Sequence, residues 1–551
     1  MYKIGSSAIA NRIKKYLDKL VSKSQTGFLT GRYIGDSTRL IYDLMQHTES
    51  ENIPGLLMLV DFQKAFDSVS WKFLYSVMEF LGFGPSIIRW IKTFNTKIKA
   101  SVMQCGFLSD FFNIEKGCRQ GDPMASYLFL MCAQILSLMV TFNTSIHGIF
   151  IKNKEFKLSQ YADDTTIILD GTKGSLLAAL NTIEIYGSMS GLRINTDKTK
   201  LVWIGKKRHS KDKIEVATDM DWGTTEFNLL GIEFSVDLEK MVDLNYNLAY
   251  LKIERNLTHW KQRYLTPLGK ITVVKSLIIP KLNHLFISIP NPSDVFLKKI
   301  SGILFKFIWD NKPDKISRVQ ITKEYLDGGL KMLNIDSFIK ALKLTWLRRL
   351  LKQHRACWIP LIPFDKNTYH RIVFFGSTWA LNVASKIENR FWQDVLNAWG
   401  ELIDIHSNID GFYERVCGTL WYNKTISEIP LFIPQLYNKG VLSPADILHE
   451  NGEIFSLEHV NESFGVCINF LDYHRLYVSL KKYLSICNFK DNYLKKPFYH
   501  SHISLLGRSN KGCQDFYKIL NRNKHNTSTH KSGPRSTSRS KSLEFNIYNM
   551  L

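Results

Sequence analysis

The sequence predicts an α+β fold over roughly its first 240 residues and a mainly helical remainder. Three observations carry this. The wholly apolar run Leu56-Leu57-Met58-Leu59-Val60 reads as a buried strand. Residues 158–169 read as a hairpin interrupted by two aspartates. Amphipathic helical spacing fills the intervals and nearly everything after 240, so strands and helices follow an α+β order and not a doubly wound one.

Taken in order, residues 9–22 place Ile9, Ile13, Leu17, Leu20 and Val21 at helical spacing, with Arg12, Lys14 and Lys15 on the other face. Gly27 to Gly35 is a glycine-punctuated loop, and Thr38 to His47 resumes the helical pattern. The run 56–60 ends in Asp61, a carboxylate at a strand exit. Ser70 can cap the next helix, whose apolar face is Trp71, Leu74, Val77, Met78 and Leu81; Gly82 and Gly84 end it and Pro85 opens another. Pro123 to Ile151 contains no Asp, Glu, Lys or Arg, a length that could span a bilayer. Gln134, His147, several Ser and Thr, and the preceding Arg119-Gln120-Gly121-Asp122-Pro123 favour instead a buried helix over Met124 to Phe142. The hairpin comes next (Leu158 to Ala162, Asp163-Asp164, Thr165 to Leu169). After it come a helix from Leu176 to Met189 ended by Gly191, a strand from Leu192 to Ile204, and a strand pair over Phe227 to Phe234. Beyond 240, Trp260, Leu265, Val273, Val274, Leu277 and Ile278 recur among Pro267, Gly269 and Pro280, and a basic helical region runs through Trp346, Arg348 and Arg349. Residues 355–520 are aromatic-rich segments of no legible order, and the Ser/Thr-rich basic stretch 524–541 lacks Asp and Glu and is expected to be disordered.

At 45% hydrophobic and 13% aromatic residues, the composition excludes a disordered chain. The net charge of +22 points to phosphate-bearing partners, with mere solubility or acidic lipid as the competing explanations. The eight cysteines form no CxxC and no zinc spacing with histidine, the usage of reduced thiols in an intracellular protein. The opening Met1-Tyr2-Lys3-Ile4 is not a signal peptide, since a charged segment follows with no apolar core region.

Asp61 at one strand exit and Asp163-Asp164 at a hairpin tip would converge if those strands are neighbours in one sheet. Carboxylates so close raise one another's pKa unless a cation joins them. Mg²⁺ suits such a set, being hard, oxygen-liganded and content with one or two carboxylates plus substrate phosphates. Taken singly, any of these aspartates is more often a plain turn or strand-end residue.

Around the aspartates stand the stretches Val60-Asp61-Phe62-Gln63-Lys64-Ala65-Phe66-Asp67-Ser68-Val69, Gly117-Cys118-Arg119-Gln120-Gly121-Asp122-Pro123, Tyr161-Ala162-Asp163-Asp164, Gly191-Leu192-Arg193-Ile194-Asn195 with Lys198, and Leu229-Leu230-Gly231-Ile232. In their order and rough spacing they resemble the reverse transcriptases of LINE-type (non-LTR) retrotransposons. Ser24-Gln25-Thr26-Gly27-Phe28 with Gly31-Arg32 is similar to the family's fingers region. The match is strong over about 3–240, looser to about 350 and weak beyond.

The resemblance implies an RNA-directed DNA polymerase of right-hand fold (fingers, a palm with an antiparallel sheet and helices, a helical thumb). Catalysis would be two-metal nucleotidyl transfer from a deoxynucleoside triphosphate to a DNA primer or target on an RNA template, with two Mg²⁺ ions or Mn²⁺ as a substitute. Asp61, Asp163 and Asp164 would hold metal, joined by the Phe62 carbonyl. Phe66 would fill the space of a ribose 2′-OH, and Gln120, Gly121 and Ala162 would lie against nucleotide, template and primer end. Lys198 would protonate or neutralise the leaving pyrophosphate, and Leu229, Leu230, Gly231 and Ile232 would grip the primer. Arg32, Arg119, Lys252, Trp260, Arg263 and Lys270 would contact nucleic acid, as would Arg255, Lys261, Lys275 and Lys281. Asp67 reads as structural and Asp122 as a helix-capping residue.

The implied plan is partial fingers over 1–55, palm with remaining fingers elements over 56–240, and helical thumb and connection over 241–350. A C-terminal region of retrotransposon type over 351–523 and a basic Ser-rich tail over 524–551 complete it. The family's endonuclease and its upstream fingers strands, which contact the triphosphate, would lie ahead of Met1, so a truncated element is expected. Two competitors stay open: a catalytically impaired nucleic-acid-binding remnant, and an organellar intron-encoded reverse transcriptase and maturase. An intracellular location, in the nucleus or a cytoplasmic ribonucleoprotein, is expected, with no membrane partner. The sequence leaves the oligomeric state open.

Overall fold

The structure is a computed structural model that describes residues 2–215, 220–352, 356–407, 412–485, 487, 506 and 513–526. The chain divides into two compact units, Met1–Met241 with Arg355–Ile362, and Val242–His354 with Pro363–Leu551.

In the first unit, α1 (Tyr2–Leu20) and α2 (Ile34–Ser50) precede the strand β1 (Pro54–Val60). The short helix α3 (Ala65–Ser68) leads into α4 (Trp71–Phe80), and α5 (Pro85–Phe94) follows. Ser70 caps α4 by accepting the Phe73 N–H, and Pro85 occupies the first turn of α5. Two nested short pairs come next, β2 (Lys99–Ala100) with β5 (Phe112–Asn113) and β3 (Met103–Gln104) with β4 (Phe107–Leu108). Then come α6 (Ala125–Phe142), the pair β6 (Ile149–Ile151) and β7 (Lys154–Phe156), and the strands β8 (Leu158–Tyr161) and β9 (Asp164–Leu169). The helix α7 (Lys173–Ser190) ends on Gly191 in the left-handed conformation, at φ 82°. The strands β10 (Lys200–Gly205), β11 (Asp221–Trp222), β12 (Glu226–Leu229) and β13 (Ile232–Ser235) complete the unit.

The main sheet has the order β11-β10-β1-β9-β8, with β1 antiparallel to both neighbours. That central place explains why residues 56–60 are apolar without alternation: both faces are covered. Leu56, Met58 and Val60 join the core built with α4, α6 and α7, while α2 packs against β8 and β10. Tyr186 of α7 donates its hydroxyl to the Cys132 carbonyl of α6 at 3.1 Å, which fixes the two helices side by side. The continuous helix α6 is long and apolar enough to cross a membrane, yet Leu128, Phe129, Leu130, Met131, Cys132, Leu136 and Val140 are fully buried in this core.

One expected element differs. The strand read over Leu192–Ile204 is broken, because the Asn195 carbonyl accepts both the Lys198 N–H (3.2 Å) and the Thr199 N–H (2.9 Å) and turns the chain. Only Lys200–Gly205 is regular strand.

Helix α8 (Leu238–Lys261) begins in the last residues of the first unit and runs on as the first element of the second. Thr266 caps α9 (Pro267–Val273), which runs through a π-helical turn, Val274–Ile278, into Pro280–Ser288. Tyr246 lies between Phe286 and Phe296, with centroids 6.0 and 5.0 Å away. Helices Ile335–Lys352, Ser377–Lys386 and Arg390–Ser407 bury Trp346, Trp392 and Trp399. A separate core gathers Phe375, Trp421, Leu436 and Leu480. Helix Gln514–Asn526 reaches into the segment expected to be a tail, and residues 527–551 of that segment lie outside the described residues.

Candidate active site

Asp61 continues the central strand past Val60 and is fixed through its backbone. Its carbonyl accepts the Asn195 N–H at 2.8 Å, and its N–H donates to the buried Thr199 hydroxyl at 3.3 Å. The next residue, Phe62, faces Ile194 in an isolated antiparallel bridge, and the Gln63 N–H reaches the Arg193 carbonyl at 2.9 Å. The Phe62 carbonyl takes part in none of these bonds. The turn that breaks the expected strand is therefore what holds Asp61, and it leaves Lys198 exposed one residue before Thr199.

The partner carboxylates sit on the neighbouring hairpin. Tyr161 pairs with Asp164, so Ala162 and Asp163 form a two-residue turn. Ala162 is buried at φ +56°, a first turn position that normally favours glycine. Val60 pairs with Thr165, so one further step along both strands sets Asp61 beside Asp164. The electrostatics agree. Burial and then the Asp61 charge hold the Asp163 carboxyl above its ordinary range. Asp164 has an exposed surface, yet the atoms packed about its carboxyl, and then the charges of Asp163 and Asp61, push it up to about 6.

Among the described residues no three His, Cys, Asp or Glu side chains close around a single point. The three aspartates nonetheless fit a divalent cation by their chemistry. They are hard oxygen donors that repel one another, and substrate phosphates ordinarily complete such a shell.

Phe66 is half-buried and stacks on Phe129 of α6, with centroids 4.3 Å apart. Phe28, itself at φ +56° and 48% exposed, meets both Phe66 and Tyr161 at 6.4 Å. The loop after β5 is tied to this segment by Cys118 N–H to the Phe66 carbonyl (2.7 Å) and Gly117 N–H to the Val69 carbonyl (2.8 Å). Gly117 is required there, since a Cβ would stand 2.7 Å from the Asp67 carbonyl oxygen. The result is an exposed Gln120-Gly121 turn ahead of α6, with open space around Gly121. Asp122 accepts the Met124 N–H at 3.1 Å and bonds the Tyr2 and Ser6 hydroxyls. Leu229 pairs with Ile232, and Leu230-Gly231 form a hairpin turn with positive φ at both positions.

The basic residues divide. Arg32 is engaged inside the chain, by Asp18 (2.8 Å) and by the carbonyls of Val21, Ser22 and Gln25. Arg119 donates to the Phe94 carbonyl at 2.7 Å and lies over the Tyr2 ring. In the second unit Lys270 is buried against Asp310, and burial lowers the Lys275 pKa. Lys252, Arg255, Lys261, Arg263 and Lys281 are exposed, and Arg263 covers the Trp260 ring at 4.7 Å.

Sequence reasoning quoted the loop Ser24–Phe28 without giving it a place at the site. The structure puts it along the edge of β8, through Gln160 N–H to the Ser24 carbonyl (2.8 Å) and Thr26 N–H to the Gln160 carbonyl (2.9 Å). Its glycine-bounded polar composition is the one signal that could have flagged a close approach.

Residues 1–234 match the family model described as reverse transcriptase (RNA-dependent DNA polymerase). The chain is 25% identical over 355 residues to the transposon TX1 uncharacterized 149 kDa protein of Xenopus laevis, covering 64% of this chain and 26% of that protein. It is 22% identical over 345 residues to the retrovirus-related Pol polyprotein from type-2 retrotransposable element R2DM of Drosophila melanogaster, covering 60% of this chain and 31% of that one. The chain thus spans about a quarter to a third of the length of these relatives. Telomerase from Candida tropicalis, solved with a fragment of telomeric RNA, aligns at a TM-score of 0.34 and 13% identity over 64% of this chain and 55% of that one.

Proposed function

We propose, from the premise that residues 1–234 are a reverse transcriptase domain of the non-LTR retrotransposon kind, that this chain extends a DNA primer on an RNA template. The observation that carries the proposal is the strand register: Val60 pairs with Thr165, which sets Asp61 beside Asp164 at the tip of a hairpin from a different part of the chain. Reverse transcriptases use divalent metal ions. Two Mg²⁺ held by Asp61, Asp163, Asp164 and the Phe62 carbonyl would supply the charge that offsets the attacking and leaving oxygens of phosphoryl transfer.

The chain's own residues supply the rest. Repulsion among the three carboxylates makes the site receptive to a cation before substrate arrives. Phe66, backed by Phe129, stands where a sugar 2′-OH would need space, which favours deoxynucleoside triphosphates. The open Gln120-Gly121 turn lets nucleotide and template approach the backbone, and Ala162 keeps the hairpin tip small beside the primer end. Lys198, on an exposed turn, donates a proton or its charge to the departing pyrophosphate. Leu229 to Ile232 hold the primer, and Lys252, Arg255, Trp260 and Arg263 hold the hybrid through its phosphates.

The test is primer extension on an RNA template with Mg²⁺, beside Asp163→Ala. Extension that depends on RNA template and is abolished by the substitution supports the reading. A wild-type chain as silent as the variant rejects it.

A further inference from the structure

The turn that carries the catalytic pair is not held by its own hairpin alone. Gln25 is 1% exposed, and its side-chain amide reads both backbone groups of Ala162. Its Oε1 accepts the Ala162 N–H at 2.7 Å, and its Nε2 donates to the Ala162 carbonyl at 3.1 Å. The same Oε1 accepts the Gly27 N–H at 2.9 Å, which fixes the amide's own orientation. The amide thus acts as one more unit of strand, laid against the exact residue whose backbone is unfavourable. Ala162 sits at φ +56°, a conformation unfavourable for an L residue that persists only where its surroundings over-determine it. Gly27 presses on the same spot, since a Cβ there would lie 2.6 Å from the Ala162 nitrogen.

We propose that Gln25 is a positioning residue for the catalytic hairpin: by pairing with both backbone groups of Ala162 it sets where Asp163 and Asp164 stand relative to Asp61. It touches no reacting atom. Its effect passes through Ala162, one residue before Asp163 and two before Asp164. The proposal rests on the reverse transcriptase reading for its consequence in catalysis, but the geometric claim concerns the carboxylates themselves and has a readout that needs no turnover.

The experiment uses the full chain with Tb³⁺ as probe. The lanthanide substitutes for a hard divalent ion and is sensitised by a nearby tyrosine, here Tyr161. Gln25→Met keeps the side-chain volume and removes the paired hydrogen bonds. Gln25→Glu keeps an acceptor for the Ala162 and Gly27 N–H groups. Gly27→Ala disturbs the turn from the other side with Gln25 intact. Asp163→Ala marks the signal that belongs to the carboxylates. Tb³⁺ affinity is titrated for each variant beside its thermal midpoint, and single-nucleotide incorporation is measured in parallel.

The expected result is a loss of Tb³⁺ affinity of about tenfold or more in Gln25→Met and Gly27→Ala, with a smaller loss in Gln25→Glu. Incorporation should fall in kcat with little change in KM for the deoxynucleotide. Wild-type Tb³⁺ affinity in Gln25→Met overturns the proposal. So does a loss that follows the fall in thermal midpoint and is equal in Gln25→Met and Gln25→Glu, because that is the behaviour of a merely structural residue. If the wild type shows no RNA-templated incorporation, the function reading fails while the Tb³⁺ series still decides the role of Gln25.

Discussion

The ring of Phe66 lies stacked on the ring of Phe129, with centroids 4.3 Å apart and planes 21° apart. Phe66 rides on a one-turn helix at the exit of β1, and Phe129 is 2% exposed in α6, so a half-buried ring on a short element is backed by a buried ring on a long one. If Phe66 selects the sugar, its selectivity depends on that backing. Phe66→Val should relax the preference for deoxynucleotides over ribonucleotides by about 10–100-fold, and Phe129→Leu should relax it by a smaller factor in the same direction. The ratio of kcat/KM for matched deoxy- and ribonucleoside triphosphates measures both. An unchanged ratio in Phe129→Leu would separate the stack from selectivity.

The carboxylate set predicts opposite effects on activity and stability. Removing a charge relieves repulsion but removes a ligand. Asp164→Asn should lower primer extension, and Asp163→Ala should remove it by at least about 1,000-fold. In metal-free protein, Asp164→Asn should instead raise the thermal midpoint by about 1–3 °C. Scanning calorimetry in a chelator, compared with saturating Mg²⁺, checks the sign: the stabilisation should vanish or reverse once metal is present.

The pH dependence follows from the same group. Asp164 titrates at about 6 in the folded chain against an ordinary 3.8. A carboxyl with a raised folded pKa holds its proton more tightly when folded, so it favours folding below the ordinary value and that advantage is lost as pH rises through about 6. Metal uptake has the reverse sign, because the deprotonated carboxylate is the ligand. Metal-free stability should therefore fall, and Mg²⁺ affinity rise, between pH values of about 4 and 7. Asp164→Asn should flatten both curves, and thermal melts over that range with and without metal would show it.

The exposed and the buried cations of the second unit should behave differently towards RNA. Lys252, Arg255 and Arg263 are open to solvent, and replacing each by Ala should lower the slope of log affinity against log salt by about one if each meets a phosphate. Lys270 is 4% exposed and paired with Asp310, so Lys270→Met should change stability and leave the slope alone. Fluorescence anisotropy of a labelled RNA–DNA hybrid at several salt concentrations distinguishes the two classes.

What could be read from the chain was local. The apolar run before Asp61, the Ser70 cap and the glycine stop at Gly191 all depend on neighbours a few residues apart, whereas the hairpin tip, expected at Asp163-Asp164, lies one residue earlier at Ala162-Asp163. The break at Asn195–Thr199 was missed because residues on both sides have strand character. The turn is decided by its two hydrogen bonds to the Asn195 carbonyl and by the Thr199 contact to Asp61, 138 residues away in sequence. The engagement of Arg32 with Asp18 and three carbonyls was equally invisible, since an exposed phosphate contact and an internal tie need the same residue type.

The least legible feature gives the last prediction. Residues 355–362 belong to the first unit although more than a hundred residues separate them from its other members. Trp358 is fully buried there, and its indole N–H donates at 3.0 Å to Asp36, whose other carboxylate oxygen accepts the Tyr33 N–H that opens α2. One carboxylate thus joins a helix start to a returning strap, and α2 covers the face of the sheet opposite the main core. Trp358→Ala should destabilise the first unit by about 3–5 kcal/mol, through lost burial and a buried acceptor left without its donor. Trp358→Phe keeps a six-membered aromatic ring and loses the N–H with part of the buried volume, so it should cost less, about 1–3 kcal/mol. Hydrogen exchange resolved to peptides separates this from effects elsewhere. Amides of Ile34–Ser50 should exchange faster in both variants, more so in Ala, while those of Arg390–Ser407 stay unchanged. Equal acceleration in the two helices would mean that the strap stabilises the whole chain and not this unit.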